Sequence, residues 1–264
     1  MSHGRIVWSD AVSPSLATDL RQRFAEGLDV VLRRNDPLVP PRRLRYVGAD
    51  DYAEVGDTWL GLLRSLALVR PDERVLEIGC GAGILARPLH RHLGPGARYV
   101  GLDDDAVALQ WCENAYKDRS DFEFVQVDDL AQTALTLPFK DATFDIVVLH
   151  DVLSHLEPDA ITARLSEARR VMITEGRLFA TAFLLDETAR AAVADGSAAI
   201  AFPDPGDESA STAAHEGEQT VAVDEEWLLD RIAEAGFKTA GIRHGSWTPR
   251  EGTTAFADIV VARL

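Results

Sequence analysis

The sequence predicts an α/β fold, a Rossmann-like seven-stranded sheet that is mostly parallel with an antiparallel last strand, preceded by a helical cap. Three observations carry this. Beyond Pro71, short apolar runs alternate with longer helical patterns, the arrangement of βαβ units. A glycine loop, Gly79-Cys80-Gly81-Ala82-Gly83, stands directly between an apolar run and a helical pattern. The last two apolar runs are joined by only nine residues, Ser246 to Thr254, including Pro249 and Gly252. A parallel crossover needs about a dozen residues or more, so this connection predicts a hairpin.

In chain order, Leu16, Leu20, Phe24, Leu28 and Val31 or Leu32 fall at helical spacing, and Asn35, Asp36 and Pro37 end the run. Pro37 to Arg45, with three prolines and three arginines, reads as an extended connector. Tyr52, Val55, Trp59, Leu63 and Leu66 mark a second amphipathic helix, so residues 1–70 are expected to form the cap. In the core, residues 71–264, strands are expected at Arg74 to Ile78, Arg98 to Leu102, Phe122 to Val127, Phe144 to Leu149, Arg177 to Phe183, Lys238 to Gly245 and Ala255 to Ala262. Helices are expected at Ala82 to His92, Ala106 to Lys117, Asp159 to Met172 and Asp224 to Ala235. Residues 186–222 break the alternation and read as an insertion or lid, with a short helix near Glu187 to Ala194 and a loop from Pro203 to Gln219.

Composition narrows the function. Forty-three acidic residues against 27 basic ones give a net charge of −16, a field that repels phosphate backbones and argues against a nucleic-acid substrate. With 46% hydrophobic and 27% charged residues the chain is an ordinary globular sequence. No run approaches the roughly 18 apolar residues of a membrane span, and Met1 to Asp10 lack a signal-peptide core. A cytoplasmic protein without a membrane partner is expected. The two cysteines, Cys80 and Cys112, build neither a disulfide framework nor a zinc site and suit a reducing compartment. No metal is expected, because Asp103, Asp104 and Asp105 are adjacent and cannot all face one ion from a strand end.

The glycine loop lets the backbone turn sharply and approach a ligand closely, while the helix behind it offers free N–H groups. The dinucleotide fingerprint wants glycine at its sixth position, and Ile84 stands there, which disfavours a pyrophosphate. Asp103 ends the second strand, where a carboxylate can accept both hydroxyls of a ribose. Asp128 ends the third, positioned for a base edge. Glycines, acid and acid thus reach one carboxyl edge from three consecutive strands, and that edge is where open α/β sheets bind ligands.

These pieces, with Phe144 to Leu156 and the pairing of Glu167-Ala168-Arg169-Arg170-Val171 with Gly176-Arg177-Leu178, resemble the class I S-adenosylmethionine-dependent methyltransferases from about Asp72 onward. Its overall look is similar to the small-molecule members of bacterial specialised metabolism. The resemblance implies S-adenosyl-L-methionine as cofactor. It implies that Gly79 and Gly81, with Cys80 between them, line its methionine and ribose portions, with Glu77 supporting the loop. Asp103 and Asp104 would border the ribose and adenine, Asp128 and Asp129 the adenine amino group, and His150 the methionine end. Two positions depart from the family pattern: Asp104 replaces an apolar residue, and His150-Asp151 replaces a pair of small polar ones.

Methyl transfer needs alignment and exclusion of water, and a base only where the acceptor has a proton to lose. His155, His150 and Asp151, after the fourth strand, are the candidates. Tyr46 and Tyr52 of the cap are candidates for lining the substrate pocket. Residues 1–45 carry a net charge of +3 and the remainder −19, and Arg42 and Arg43, with Arg45, are candidates to attract an anionic acceptor. The expected function is methyl transfer to an oxygen, nitrogen or carbon of a small-molecule metabolite. The alternatives are a non-methylating cyclisation or elimination on the same fold, or a catalytically silent binding subunit. A homodimer is compatible with the sequence.

Overall fold

A computed structural model describes residues 36–45, 51–203, 210–215 and 218–264. The expected helix at 16–32 and Tyr46 lie outside these residues. Of the cap, the described part begins with a short 3₁₀ turn, Arg42–Leu44, followed by helix α1, Tyr52–Leu62, which ends in a π turn, Leu63–Ala67.

The central sheet is built as its apolar runs require. Strands β1 (Arg74–Ile78), β2 (Arg98–Asp103), β3 (Phe122–Gln126), β4 (Phe144–Leu149) and β5 (Met172–Leu185) are parallel, in the order β3-β2-β1-β4-β5. Strand β4 is a run of Ile146, Val147, Val148 and Leu149 with no exposed side chain, as a strand covered on both faces should be. Strand β9 (Asp258–Arg263) pairs antiparallel with Arg177–Ala182 of β5, and β8 (Lys238–Arg243) pairs antiparallel with β9. The terminal hairpin and the reversed last strand are therefore present.

Helices α2 (Ala86–His92), α3 (Ala106–Ala115), α4 (Pro158–Val171), α5 (Glu187–Asp195) and α6 (Glu225–Glu234) connect the strands. Asp105, Asp186 and Asp224 cap α3, α5 and α6 by accepting backbone N–H bonds in the first turn. One apolar layer packs α4 and α6 against the sheet through Ile161, Leu165, Leu228 and Ile232. The other packs α1 to α3 against the opposite face through Leu63, Leu85, Leu89 and Cys112.

Three differences from the sequence reading have physical causes. Helix α2 starts at Ala86 rather than Ala82, because Gly83 has φ +81°, a left-handed conformation that no α-helix contains. Strand β5 extends at both ends to fourteen residues, since it serves two partners in succession. The third correction concerns 203–219, expected as loop. Strands β6 (Ala210–His215) and β7 (Glu218–Asp224) form an antiparallel hairpin there, and β7 pairs parallel with Phe183–Leu185, beyond the point where β9 leaves β5. The small residues of Ala210 to Ala214 hide a strand that only its neighbours reveal. The seven-stranded sheet thus gains two further strands. Asp258 joins the two regimes: its carboxylate accepts the Leu184 N–H at 2.7 Å, the Gly245 N–H at 2.6 Å and the Trp247 indole N–H at 2.8 Å.

Candidate active site

All five parallel strands deliver their carboxyl ends to one cleft of about 850 Å³. The loop after β1 is its floor. Gly79, Gly81 and Gly83 all have positive φ, and a Cβ on Gly79 would stand 2.3 Å from Val152 Cγ2, so the loop can be built only without side chains at that point. The Gly81 N–H donates to Asp103 Oδ2 at 2.7 Å and the Asp105 N–H to Oδ1 at 2.9 Å, which fixes the Asp103 carboxylate at the end of β2. Burial raises the Asp103 pKa, against the pull of those two donors.

Asp104 faces the same cleft and accepts the Leu130 N–H at 2.9 Å, tying the edge beside Asp103 to the loop after β3. In that loop the alternation falls one residue later than expected. Asp129 lines the cleft, whereas Asp128 is exposed and lies off its lining. Glu77 is also off the lining. It is fully buried beneath the loop, accepts the Tyr99 hydroxyl, and burial pushes its pKa up to about 8. Cys80 lines the cleft, but its thiol is buried and its pKa raised by burial, which makes it an unreactive wall.

After β4 the chain turns at Asp151, a non-glycine residue with φ +56°, and its N–H donates to Thr181 Oγ1 at 2.8 Å. Such a conformation costs energy and is characteristic of sites where direction matters. The Asp151 carboxylate accepts the Ser154 hydroxyl at 3.0 Å and lies 3.8 Å from His155 Nε2. Both Asp151 and His155 line the cleft with half-open side chains. His150 is different. It is buried with its ring 4.2 Å from that of Trp59, and burial lowers its pKa to about 4, opposed by Asp151, so it is neutral at pH 7.

From the cap, Tyr52 lines the cleft and its hydroxyl donates to the Ala82 carbonyl at 3.0 Å, pinning α1 to the glycine loop. Leu44 lines it as well, whereas Arg42 and Arg43 do not, and Arg43 is exposed. Arg42 and Arg43 are therefore not brought to the cleft wall, since the 3₁₀ turn directs Leu44, and not its neighbours, inward. The cleft is also lined by residues that sequence reasoning missed: Phe183 near the end of β5, Ala199, His215 of β6, Thr220 of β7 and Phe256. No local signal marks Ala199, His215 and Thr220, which lie in the segment read as an insertion, and nothing in the apolar runs that hold Phe183 and Phe256 shows that the two rings meet.

Among the described residues, one group of potential metal ligands, Asp186, Glu225 and His244, has ligand atoms within 4.8 Å of one another. It lies off the cleft lining, and Arg250 already binds Asp186 Oδ1 at 2.5 Å, so it reads as an ion-pair network. No described helix is long and apolar enough to cross a membrane.

A parallel sheet in this order, closed by a reversed last strand and carrying a glycine loop and a strand-end acid on one cleft, is the class I fold of S-adenosylmethionine-dependent methyltransferases. Residues 76–180 match the methyltransferase domain family. A probable phthiotriol/phenolphthiotriol dimycocerosates methyltransferase 2 of Mycobacterium ulcerans is 39% identical over 100 residues, 38% of this chain and 35% of that protein. Other curated relatives are named as methyltransferases of tRNA or of a ribosomal protein. The chain spans 35 to 44% of the length of the first curated relatives it matches. Among solved structures, the PH0226 protein of Pyrococcus horikoshii shares the fold with a TM-score of 0.60 at 20% identity, over 83% of this chain and 94% of that one. The Burkholderia thailandensis 1,6-didemethyltoxoflavin-N1-methyltransferase, solved with its substrate and S-adenosylhomocysteine, shares it with a TM-score of 0.50 at 17% identity, over 99% and 92%.

Proposed function

We propose that this protein transfers a methyl group from S-adenosylmethionine to an oxygen, nitrogen or carbon of a small-molecule metabolite. One observation carries the reading: the glycine loop, Asp103 and the Asp151–His155 pair line a single cleft. Its volume lies in the range of small-ligand sites, roughly 300–1,000 Å³. The residues fit the cofactor chemically. Bare backbone at Gly79 and Gly81 admits close approach, the Asp103 carboxylate has lone pairs for a vicinal diol, and Asp129, rather than Asp128, is available to an exocyclic amino group.

When bound, the cofactor supplies an electrophilic methyl group on a positively charged sulfur. The chain's own residues then align, exclude water and manage a proton. His155 takes the proton of an O–H or N–H acceptor, with the Asp151 carboxylate 3.8 Å from its Nε2. His150, uncharged at pH 7, leaves the wall beside the methyl-bearing end without a second positive charge. Residues 1–70 act as cap and 186–222 as lid, a division supported by the contributions of Leu44 and Tyr52 on one side and Ala199, His215 and Thr220 on the other. A reducing, cytoplasmic setting agrees with two buried free thiols.

The test is incubation of the protein with methyl-labelled S-adenosylmethionine and, separately, a small-molecule extract, bulk tRNA and total protein. Label in an extractable small molecule supports the proposal. Label in tRNA or protein would replace the substrate class, and conversion of a metabolite without label would assign a non-methylating reaction to the cleft.

A further inference from the structure

We infer that the acceptor end of the cleft takes a planar aromatic ring that bears no anionic group, laid against an aromatic lip of Phe183, His215 and Phe256. This rests on the methyl-transfer reading and names the substrate class for it.

The first argument is the lip itself. Phe256 is 41% exposed, a large apolar ring left in water at the wall of a cleft. Such surface is stabilised when a ligand covers it. The ring lies within 14° of parallel to His215, at 5.7 Å between centroids, and meets Phe183 edge-on at 5.9 Å. Aromatic rings prefer these offset and edge-to-face arrangements, and the lip offers both faces and edges to a further ring.

The lip is also rigid. Phe183 is buried against Phe202 and Trp247, at 5.8 and 5.6 Å. The Trp247 N–H donates to the Phe256 carbonyl at 3.1 Å and the Ser246 N–H to the Ala255 carbonyl at 2.9 Å. Asp258, through its bonds to Gly245 and Trp247, anchors that whole segment to the end of β5. A preformed platform spares a ligand the ordering cost of building one.

The second argument is charge. Asp103, Asp104, Asp105, Asp129 and Asp151 line the cleft, and its described lining residues include no lysine or arginine. A carboxylate or phosphate on the acceptor would meet a field of its own sign, with no guanidinium among the described lining residues to pair with, which selects against it. Asp151, Ser154 and His155 line the same cleft, which leaves hydrogen-bonding groups for a hydroxyl or amine on the ring.

The test is titration calorimetry on protein saturated with S-adenosylhomocysteine, using 2-naphthol and 3-hydroxy-2-naphthoate, the same ring system and hydroxyl with a carboxylate added. We expect 2-naphthol to bind and the carboxylated probe to bind about tenfold more weakly or less. Phe256→Ala should weaken 2-naphthol about fivefold, the scale of one aromatic pair, with S-adenosylhomocysteine affinity unchanged. Phe256→Leu, which keeps apolar bulk without a ring, should fall between the two and secures the result should the alanine variant fold poorly. Equal or tighter binding of the carboxylated probe, no binding of 2-naphthol, or 2-naphthol affinity indifferent to both substitutions would overturn the inference. Failure of S-adenosylhomocysteine itself to bind would instead remove the methyl-transfer reading, and this inference with it.

Discussion

Three groups carry the residue-scale predictions: the buried Glu77 and His150, and His155 on the cleft wall. Glu77 is held neutral by burial, with a folded pKa of about 8 against an ordinary carboxyl near 4.5. Its contribution to stability is fully present below pH 4.5 and is lost as pH rises through about 8. Glu77→Gln keeps an acceptor for Tyr99 and cannot ionise, so its melting temperature should gain on the parent between pH 5 and pH 8. A difference curve that is flat over this interval would mean that Glu77 is ionised in the fold. His150 works on the acid side: its folded pKa of about 4 lies below the ordinary 6.5, so stability is lost as pH falls from 6.5 through 4, and both variants share that limb. At His155, substitution by alanine should lower turnover roughly 10²- to 10⁴-fold with S-adenosylhomocysteine affinity nearly intact. A loss below about tenfold would leave proximity as the source of rate.

At the scale of elements, the decisive feature is the change of partner along β5. Its residues Arg177–Ala182 pair with β9 and its last three residues with β7, and the Asp258 carboxylate takes up the Leu184 N–H where one partner gives way to the other. Asp258→Ala would leave three buried donors, at Leu184, Gly245 and Trp247, without their acceptor. An unsatisfied buried group costs about 1–3 kcal/mol, so denaturant unfolding should show a loss of roughly 3 kcal/mol or more. Asp258→Asn, which can accept but also brings a donor, should lose less. A loss within about 0.5 kcal/mol for the alanine variant would show that water replaces the carboxylate. The hairpin 210–224 matters for the same reason: it is sheet, not loop, and so holds His215 and Thr220 at fixed positions on the cleft.

For the whole molecule, a net charge of −16 makes self-repulsion a global term that screening relieves. The melting temperature should therefore rise as sodium chloride is added from low ionic strength to about 0.5 M, and a fall would show that specific ion pairs such as Arg87–Asp36 and Arg177–Glu73 outweigh it. Much of this molecule was legible in the sequence because its signals are local. Apolar runs set the strands, glycines set the turn after β1, and parallel strands bring their carboxyl ends to one edge, so Gly79, Gly81 and Asp103 could be assigned to a common cleft. Spacing alone could not decide between Asp128 and Asp129, since successive residues face opposite ways and the register past a strand end depends on what packs beneath. Nor could it find the aromatic lip or the partners of Ala210 to Ala214. Phe183, His215 and Phe256 lie far apart in the chain, and their meeting, like the burial that keeps Glu77 and His150 uncharged, is a property of contacts that exist only once the sheet has assembled.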